Sequence, residues 1–542
     1  MTNVCLSKPW LRVWAVVIFC LALGILTAAL AAGPTAPPTP SPYIIDFNTK
    51  VDANNISMYV CNLGAFAYAR SGTNFEYPKG SGKYCLYSSG LWVGAKVNGQ
   101  TRVTVCGYTP EYRPGVIHPD GTYDPYTDPI YHVYKIVRGD TASTDYTEWP
   151  AQQGAPVNSA GKPLLTGDQT LWCVYHDADP QYHTSLEGGT APLGIEVQQT
   201  IFAFDWQIAM GNVIYLRLKV INKLANTLTD TYFGIWADPD IGGAGDDFAG
   251  CDAAENLGFA YNGGAYDSQY GSQAPCLGYD LLKGPRGDGG SDLGMTSFAV
   301  YASGQDPISA AVSYRLLQGL SGGGFPIIDP TTGNPTTYML SGDPDAGTGW
   351  LDSHPGDRRF IVGSGPFTMA PGDTQVVDLA IVAARGWNRV VSVRQMKVLD
   401  RAAQAAYDAG FAGMFLPGSP ATSLDAASQK GGGDDVRAEY NSRPLDQPAG
   451  SPDIRLAAGP CPARGAVTIS FEAAKGDAPS LRIIDAAGRL VRVLDARSRE
   501  GTRAEVQWDG RNSAGESVPG GIYWVCLSAR GHAEAAKIVM LR

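Results

Sequence analysis

From 213 to 222 the chain alternates with a period of two. Val213, Tyr215, Arg217 and Lys219 fall on one side, and Ile214, Leu216, Leu218 and Val220 on the other. One apolar and one polar face predict a half-buried strand of an antiparallel sheet. Residues 195–205 form a second such strand, joined to the first near 210–212. Residues 90–103 read as a hairpin, because Asn98-Gly99 sits between two alternating runs and tolerates the left-handed backbone of a two-residue turn. Another strand covers 375–383, after the turn Pro371-Gly372-Asp373. Between 388 and 410 the period lengthens: Val393, Met396, Leu399, Ala403, Ala406 and Tyr407 recur at three- and four-residue spacing. This predicts one helix, stopped by Gly410 and packed on the sandwich edge.

No period survives from 416 to 451, where Gly, Ser, Pro, Asp and Ala dominate and Gly431-Gly432-Gly433-Asp434-Asp435 occurs. This reads as a flexible linker. Beyond it, strands are expected near 466–473, 481–486, 489–495, 503–508, 521–528 and 535–541. Six or seven short strands in this length suit an Ig-like sandwich. The predicted fold is therefore mostly β: an antiparallel β-sandwich body with one C-terminal packing helix, a flexible linker, and a small Ig-like β-sandwich at the C-terminus. The expected divisions are a signal peptide over 1–31, a Pro-rich linker over 32–42, a body of one or two sandwiches over 43–415, the linker over 416–455, and the Ig-like domain over 456–542.

The leader is read from Lys8 and Arg12, the apolar run 13–30, and the small residues Ala29-Leu30-Ala31. Cleavage is expected because Pro-rich polar sequence follows at once; an uncleaved membrane anchor is the alternative. Composition points the same way as the pattern: 66 glycines and 27 tyrosines suit strands closed by tight turns. The net charge of −11 is unevenly spread. Residues 456–542 carry 12 Lys/Arg against 9 Asp/Glu, which leaves 29 against 43 in the rest. An acidic body argues against nucleic acid as a partner and suits solubility or cation binding.

Eight cysteines follow the leader, at 61, 85, 106, 173, 251, 276, 461 and 526, with no Cys-x-x-Cys among them. Zinc ribbons and thioredoxin-like centres are thereby disfavoured. In an exported chain disulfides are allowed, and the pairs expected first are Cys251 with Cys276 and Cys461 with Cys526.

The densest candidate chemistry lies between Trp236 and Asp252, where Asp238, Asp240, Asp246, Asp247 and Asp252 are interleaved with glycines. Two unit charges about 4 Å apart repel by roughly 4 kcal/mol near a protein surface, so a compact loop of this kind gains from a cation. Calcium takes six to eight hard oxygens in loose geometry, and these five carboxylates are its candidate ligands. The spacing is not that of an EF-hand, and the competing reading is a solvated acidic turn whose Asp side chains bond nearby amides. His176, Asp177, Asp179 and His183 form a weaker metal candidate with no recognised zinc spacing; a loop whose polar groups bond backbone is the preferred reading. Gly319-Leu320-Ser321-Gly322-Gly323 matches a nucleophile elbow by letters only, since Gly324-Phe325-Pro326 forbids the helix that elbow needs. No His-Glu-x-x-His occurs, and no pair of carboxylates stands out for glycoside hydrolysis. Tyr108, Tyr112, Tyr123, Tyr126, Tyr131 and Tyr134 crowd one region, either as an exposed binding surface or, preferred here, as filling for a loop-rich core.

The segments Asp485-Ala-Ala-Gly-Arg-Leu-Val-Arg, Trp508-Asp-Gly-Arg-Asn, Val518-Pro-Gly-Gly-Ile-Tyr and the apolar strand ending at Arg542 resemble the Ig-like domain of the flagellar-hook-cap type. They are also similar to the C-terminal sorting domain of type IX secretion cargo. Either resemblance implies a structural or sorting module without catalytic residues, recognised by secretion or cell-envelope machinery. The body resembles uncharacterised secreted proteins, through Gly90-Leu-Trp-Val-Gly, Trp236-Ala-Asp-Pro-Asp-Ile-Gly, Gly347-Thr-Gly-Trp-Leu-Asp and Gly365-Pro-Phe-Thr-Met-Ala-Pro-Gly-Asp. That likeness implies no activity. The functional expectation is a secreted or cell-surface, non-enzymatic protein for binding, adhesion or envelope structure, with a glycan or surface protein as ligand. A secreted hydrolase of polysaccharide or protein, and a self-assembling filament or envelope component, are the alternatives.

Overall fold

The structure is a computed structural model that describes residues 45–67, 74–205, 209–411, 454–459, 463, 465–473, 480–485, 490–494, 504–529 and 532–541. The expected signal peptide, the Pro-rich segment and most of the 416–455 linker lie outside the described residues. No helix among them is long and apolar enough to cross a membrane.

Two large antiparallel sheets make up most of the body, with a small three-stranded and a two-stranded sheet beside them. Its main strands, in chain order, are β1 (Ser88–Val97), β2 (Gln100–Thr104), β3 (Tyr134–Val137), β4 (Gln169–His176), β5 (Ile195–Ala203), β6 (Val213–Asn222), β7 (Leu228–Asp238), β8 (Asp247–Asp252), β9 (Leu257–Asn262), β10 (Cys276–Lys283), β11 (Ser297–Ala302), β12 (Arg358–Met369) and β13 (Thr374–Ala384). One sheet runs β8-β9-β10-β13-β6-β5-β4, with a short strand at Arg113–Pro114 and β3 both pairing β4. The other runs β11-β12-β7-β1-β2. The predicted hairpin is β1-β2, with Asn98 at φ 50° and Gly99 at φ 79°, the left-handed pair that a tight turn between twisted strands demands.

A single core lies between the sheets. Leu91, Val93, Phe233, Ile235, Phe360 and Val362 from one meet Ile201, Ile214, Leu216, Leu218, Tyr279 and Leu379 from the other. The strand at 213–222 keeps the alternation read from sequence, but its second face is not simply wet. Val213 and Tyr215 pack beneath helix α2 (Arg389–Asp408), and only Arg217, Lys219 and Ile221 are half-buried. The helix itself follows its prediction. Asn388 caps it by accepting from the amides of Val390 and Val391, and Gly410 follows its end at φ 60°. It packs on the outer face of the larger sheet, against β10 and β13, not at the edge as expected. The reason is that Phe202, Phe204, Phe259 and Val382 make that outer face apolar, and an apolar sheet face needs a cover.

A second helix, α1 (Ala310–Leu317), escaped the sequence reading. It covers the outer face of the smaller sheet, where Trp92 and Trp236 stack at 6.3 Å between centroids. Its close approach depends on Gly94 and Gly234: a Cβ on Gly94 would lie 2.7 Å from the Tyr314 ring, and one on Gly234 would lie 2.3 Å from Leu317.

Among the described residues the tail has seven strands: β14 (Ile454–Gly459), β15 (Val467–Ala473), β16 (Ser480–Asp485), β17 (Leu490–Leu494), β18 (Ala504–Trp508), β19 (Gly521–Ala529) and β20 (His532–Met540). They form sheets β14-β15-β18 and β17-β16-β19-β20 around Trp508, Phe471, Ile483, Val525 and Ile538. The first strand starts two residues before the expected boundary at 456. Its apolar positions, Ile454, Leu456 and Ala458, alternate as the rest do.

The Cys251–Cys276 disulfide is a correction. Both are free thiols. They lie on β8 and β10, separated by β9, and face opposite sides of the sheet: Cys251 joins the core between the sheets and Cys276 joins the layer under α2. No side-chain rotation bridges a sheet. Cys461 lies outside the described residues, and Cys526 is a half-buried free thiol.

Candidate functional site

The outer face of the smaller sheet ends in a polar row. Beyond Trp236, the last outward residue of β7 is Asp238, 2 % exposed. The register puts Ser88 of β1 directly opposite it, and paired residues point to the same face. On the other side Arg359 of β12 reaches over, its Nη2 3.5 Å from Asp238 Oδ2. Tyr108 donates its hydroxyl to the same oxygen at 2.7 Å and accepts from Arg359 Nε at 2.7 Å. The Tyr108 ring also packs edge-on against Trp236, with centroids 5.1 Å apart.

Two further carboxylates join this row. Asp240 stands just past the end of β7. Asp357, which pairs with Arg359 Nη1, arrives from the segment before β12. That segment is pinned by an isolated bridge between Asp247 and Gly356, with amide-to-carbonyl bonds of 3.2 and 3.0 Å. One oxygen each from Asp238, Asp240 and Asp357 lies within 4.8 Å of the others. Burial is the largest influence on both Asp238, pushed up to about 7, and Asp240, pushed up to about 6. For Asp238 the Arg359 guanidinium and the Tyr108 hydroxyl pull the other way; for Asp240 the neighbouring Asp357 charge pushes further.

The five sequence candidates do not all converge here, because 236–252 is not one loop. Asp238 ends a strand. A turn at Ala244–Asp246 follows, and Asp247–Asp252 is a strand again. Strand alternation then separates the rest. Asp247 is buried, with Oδ2 accepting from the Ile241 amide at 2.9 Å; burial holds its carboxyl well above the usual range. Asp246 lies beside Asp267, and burial first, then the Asp267 charge, raises it. Asp252 points under α2 and pairs with Lys397 at 2.8 Å. Asp357 is the member the sequence did not offer. It arrives with the start of β12, which pairs β7 at Ala237–Phe360, and with the bridge at Gly356, and no local spacing announces such a contact.

The second sequence cluster serves the backbone. Asp177 is fully buried and accepts from Thr104 Oγ1 at 2.6 Å and from the amides of Leu193, Gly194 and Ile195 at 2.7–2.9 Å. Asp179 caps the turn at Pro180–Tyr182. His183 Nε2 lies 2.7 Å from the Asp177 carbonyl. Burial depresses His176 to about 4, so it stays neutral, and its Nδ1 accepts from the Ala178 amide. Ser321 lies past the end of α1, in a turn closed by its own hydroxyl to Phe325, with no helix after it. Of the crowded tyrosines, Tyr112, Tyr131 and Tyr134 are buried and the other three are half-buried, which favours the filling role.

With the geometry in place, the chain can be set beside known proteins. Residues 459–532 match the FlgD Ig-like domain. No curated protein matches the chain. Among solved structures, a polysaccharide lyase aligns over 83 % of this chain and 46 % of its own, at 10 % identity and a TM-score of 0.21. Latent dimeric PorU from Porphyromonas gingivalis aligns over 69 % and 31 %, at 11 % identity and a TM-score of 0.16. PorZ, described as a surface component of the type IX secretion system of the same bacterium, aligns over 70 % and 45 %, at 11 % identity and a TM-score of 0.13. The chain thus spans less than half the length of each, and at these scores the likenesses carry no argument about fold or activity.

The FlgD Ig-like domain offers no rival site among its described residues. Its buried positions are apolar apart from Ser470, whose hydroxyl bonds Glu505. The body holds one more group of note. Asp280 on β10 and Asp400 on α2 face each other, 1 % and 2 % exposed. Burial and mutual repulsion push Asp280 far up, and burial with the Glu255 charge raises Asp400. Two carboxyls buried this close do not both ionise, so one keeps its proton. Glu255, Asp252, Asp408, Arg401 and the Tyr215 hydroxyl are their titratable neighbours.

Proposed function

We propose that this is an exported, non-enzymatic protein of the bacterial exterior, whose β-sandwich body binds or builds and whose FlgD Ig-like domain is its sorting or attachment module. The match over 459–532 carries this reading, because it puts a domain of a structural family behind a long body. The apolar run 13–30 and the Pro-rich stretch after it support export. The body's buried polar clusters support a binding or building role, since Asp177 and Glu111 spend their oxygens on backbone amides and a hydroxyl. The partners this reading calls for are secretion or cell-envelope machinery at the tail, and a glycan, a surface protein or a second copy at the body.

The test is expression of the full chain in an enveloped bacterium, with fractionation and protease shaving of intact cells. Surface or medium location, lost when 454–542 is deleted, is the expected result. Cytosolic product would remove the reading. Export that requires a type IX system would assign the tail to sorting; export without one would assign it to attachment. Turnover of glycans or casein that a single substitution abolishes would replace the reading with a secreted hydrolase.

A further inference from the structure

At the end of the polar row, positive charge is scarce. Asp238, Asp240 and Asp357 share the single guanidinium of Arg359, and Asp306 adds a fourth carboxylate 3.8 Å from it. Two buried oxygens beside them, Asp238 Oδ1 and Ser88 Oγ, have no hydrogen-bond partner. The Asp238 side chain is 3 % exposed and Ser88 is fully buried, so water does not cheaply satisfy either, and a buried orphan acceptor costs about 1–3 kcal/mol. The orphans lie on one face, opposite each other in the β1-β7 register. Every atom in the set is a hard oxygen, the kind that suits calcium, magnesium or manganese over zinc or copper.

We propose that Asp238, Asp240 and Asp357 bind a calcium ion, with Ser88 Oγ as a further ligand. Coordination style chooses between the hard cations: magnesium demands near-ideal octahedral geometry and keeps most of its waters, whereas calcium takes six to eight oxygens in loose geometry. Three carboxylates and a hydroxyl gathered from three separate segments suit calcium. Two of the carboxylates are only half-buried, which leaves room for waters to complete six to eight ligands. The ion ties together the end of β7, the loop after it and the segment held by the Asp247–Gly356 bridge. It uses two of the five residues nominated by the sequence and adds one from more than a hundred residues away.

The full chain would be titrated with CaCl2 and with MgCl2 by calorimetry, and melted in CaCl2 and in EDTA. Calcium should bind with a Kd of about 10⁻⁴–10⁻³ M, the range of extracellular modules, magnesium more weakly, and EDTA should lower the melting temperature. Asp240→Asn and Asp357→Asn should each weaken calcium binding roughly tenfold or more, since affinity follows ligand charge. Asp246→Asn and Asp252→Asn should bind as the parent does. Removing one of several like charges should leave melting in EDTA unchanged or higher, so a lost calcium response in those variants is not misfolding. Terbium, which takes the same oxygens, gives a second readout: Tyr108 and Trp236 should sensitise its emission, and CaCl2 should quench it. No calcium heat and an EDTA-insensitive melt would overturn the proposal, as would full binding by Asp357→Asn or loss of binding in Asp252→Asn.

Discussion

The body and the FlgD Ig-like domain are both antiparallel sandwiches, yet they bury different things. Among the described residues, the tail core is apolar around Trp508, with Ser470 as its one buried polar side chain. The body buries Glu111, Asp177, Asp238, Asp247, Asp280 and Asp400. Apolar burial is non-directional and nearly indifferent to pH; a buried carboxyl is neither. The tail therefore behaves as a strut whose stability is a matter of volume. The body's stability is tied to protons and, under the calcium proposal, at the Asp238 row to a cation. This difference fits a division of labour in which binding falls to the body and support to the tail.

The hardest blow to this comparison would be a tail that does not depend on its core. Trp508 is fully buried, packs edge-on against Tyr523 at 5.3 Å, and donates to the Arg511 carbonyl at 2.9 Å. Trp508→Ala should cost about 3–5 kcal/mol and unfold the tail, seen as loss of its protease resistance. The loss should be the same at pH 5 and pH 8. A tail that stays folded, or whose loss varies with pH, breaks the contrast.

The second effect is smaller and belongs to the body. In the unfolded chain, Asp280 and Asp400 release their protons near 3.8. In the folded chain both are raised, so between that value and the alkaline range the native state holds more protons. The contribution is fully present below about pH 4 and drains as pH rises through the raised folded values, at about 1.4 kcal/mol per pH unit for each extra proton held. Thermal melts of the body should fall from pH 5 to pH 9. Asp400→Asn, whose amide donates to Asp280 at any pH, should flatten that slope and raise the melting temperature at pH 8 more than at pH 5. A parent melt that is already flat would show that the pair pays nothing for its burial.

How much of this was legible in advance follows from the range of each interaction. The β1-β2 turn at Asn98-Gly99 and the helix from Asn388 to Gly410 are written in neighbouring residues, and both formed where expected. Helix α1 spans eight residues, little more than two turns, and leans on Gly94 and Gly234 of other strands. Its local marks, Ser309 capping through the Val312 amide and Gly319 at φ 71° past its end, are weak over so short a span. The acidic stretch was visible, but its division was not. Reading 236–252 as a loop hid the strand at Asp247–Asp252, whose alternation sends Asp252 to Lys397. Asp357 was out of reach because the long-range pairing of β12 with β7 and the bridge at Gly356 deliver it. The Cys251–Cys276 pairing failed for the same reason as the five-carboxylate loop: side of sheet, not sequence distance, decides which residues meet.

The smallest effect sharpens the comparison where the body's two styles of burial touch. Helix α2 lays Val393, Met396, Leu399 and Ala403 on an apolar sheet face, yet carries Asp400 into the same layer. Its start is fixed by Asn388, whose side chain accepts from the amides of Val390 and Val391 at 3.0 and 2.9 Å. Asn388→Ala removes those acceptors and should cost about 0.5–2 kcal/mol, read as a lower midpoint in urea with an unchanged slope. Because the cap is neutral, the cost should be equal at pH 5 and pH 8, unlike that of the Asp280–Asp400 pair, whose helix member Asp400 lies twelve residues after Asn388. A cap effect that grows with pH would mean the helix end and the carboxyl pair respond as one unit, and that α2 moves on its sheet when the shared proton leaves.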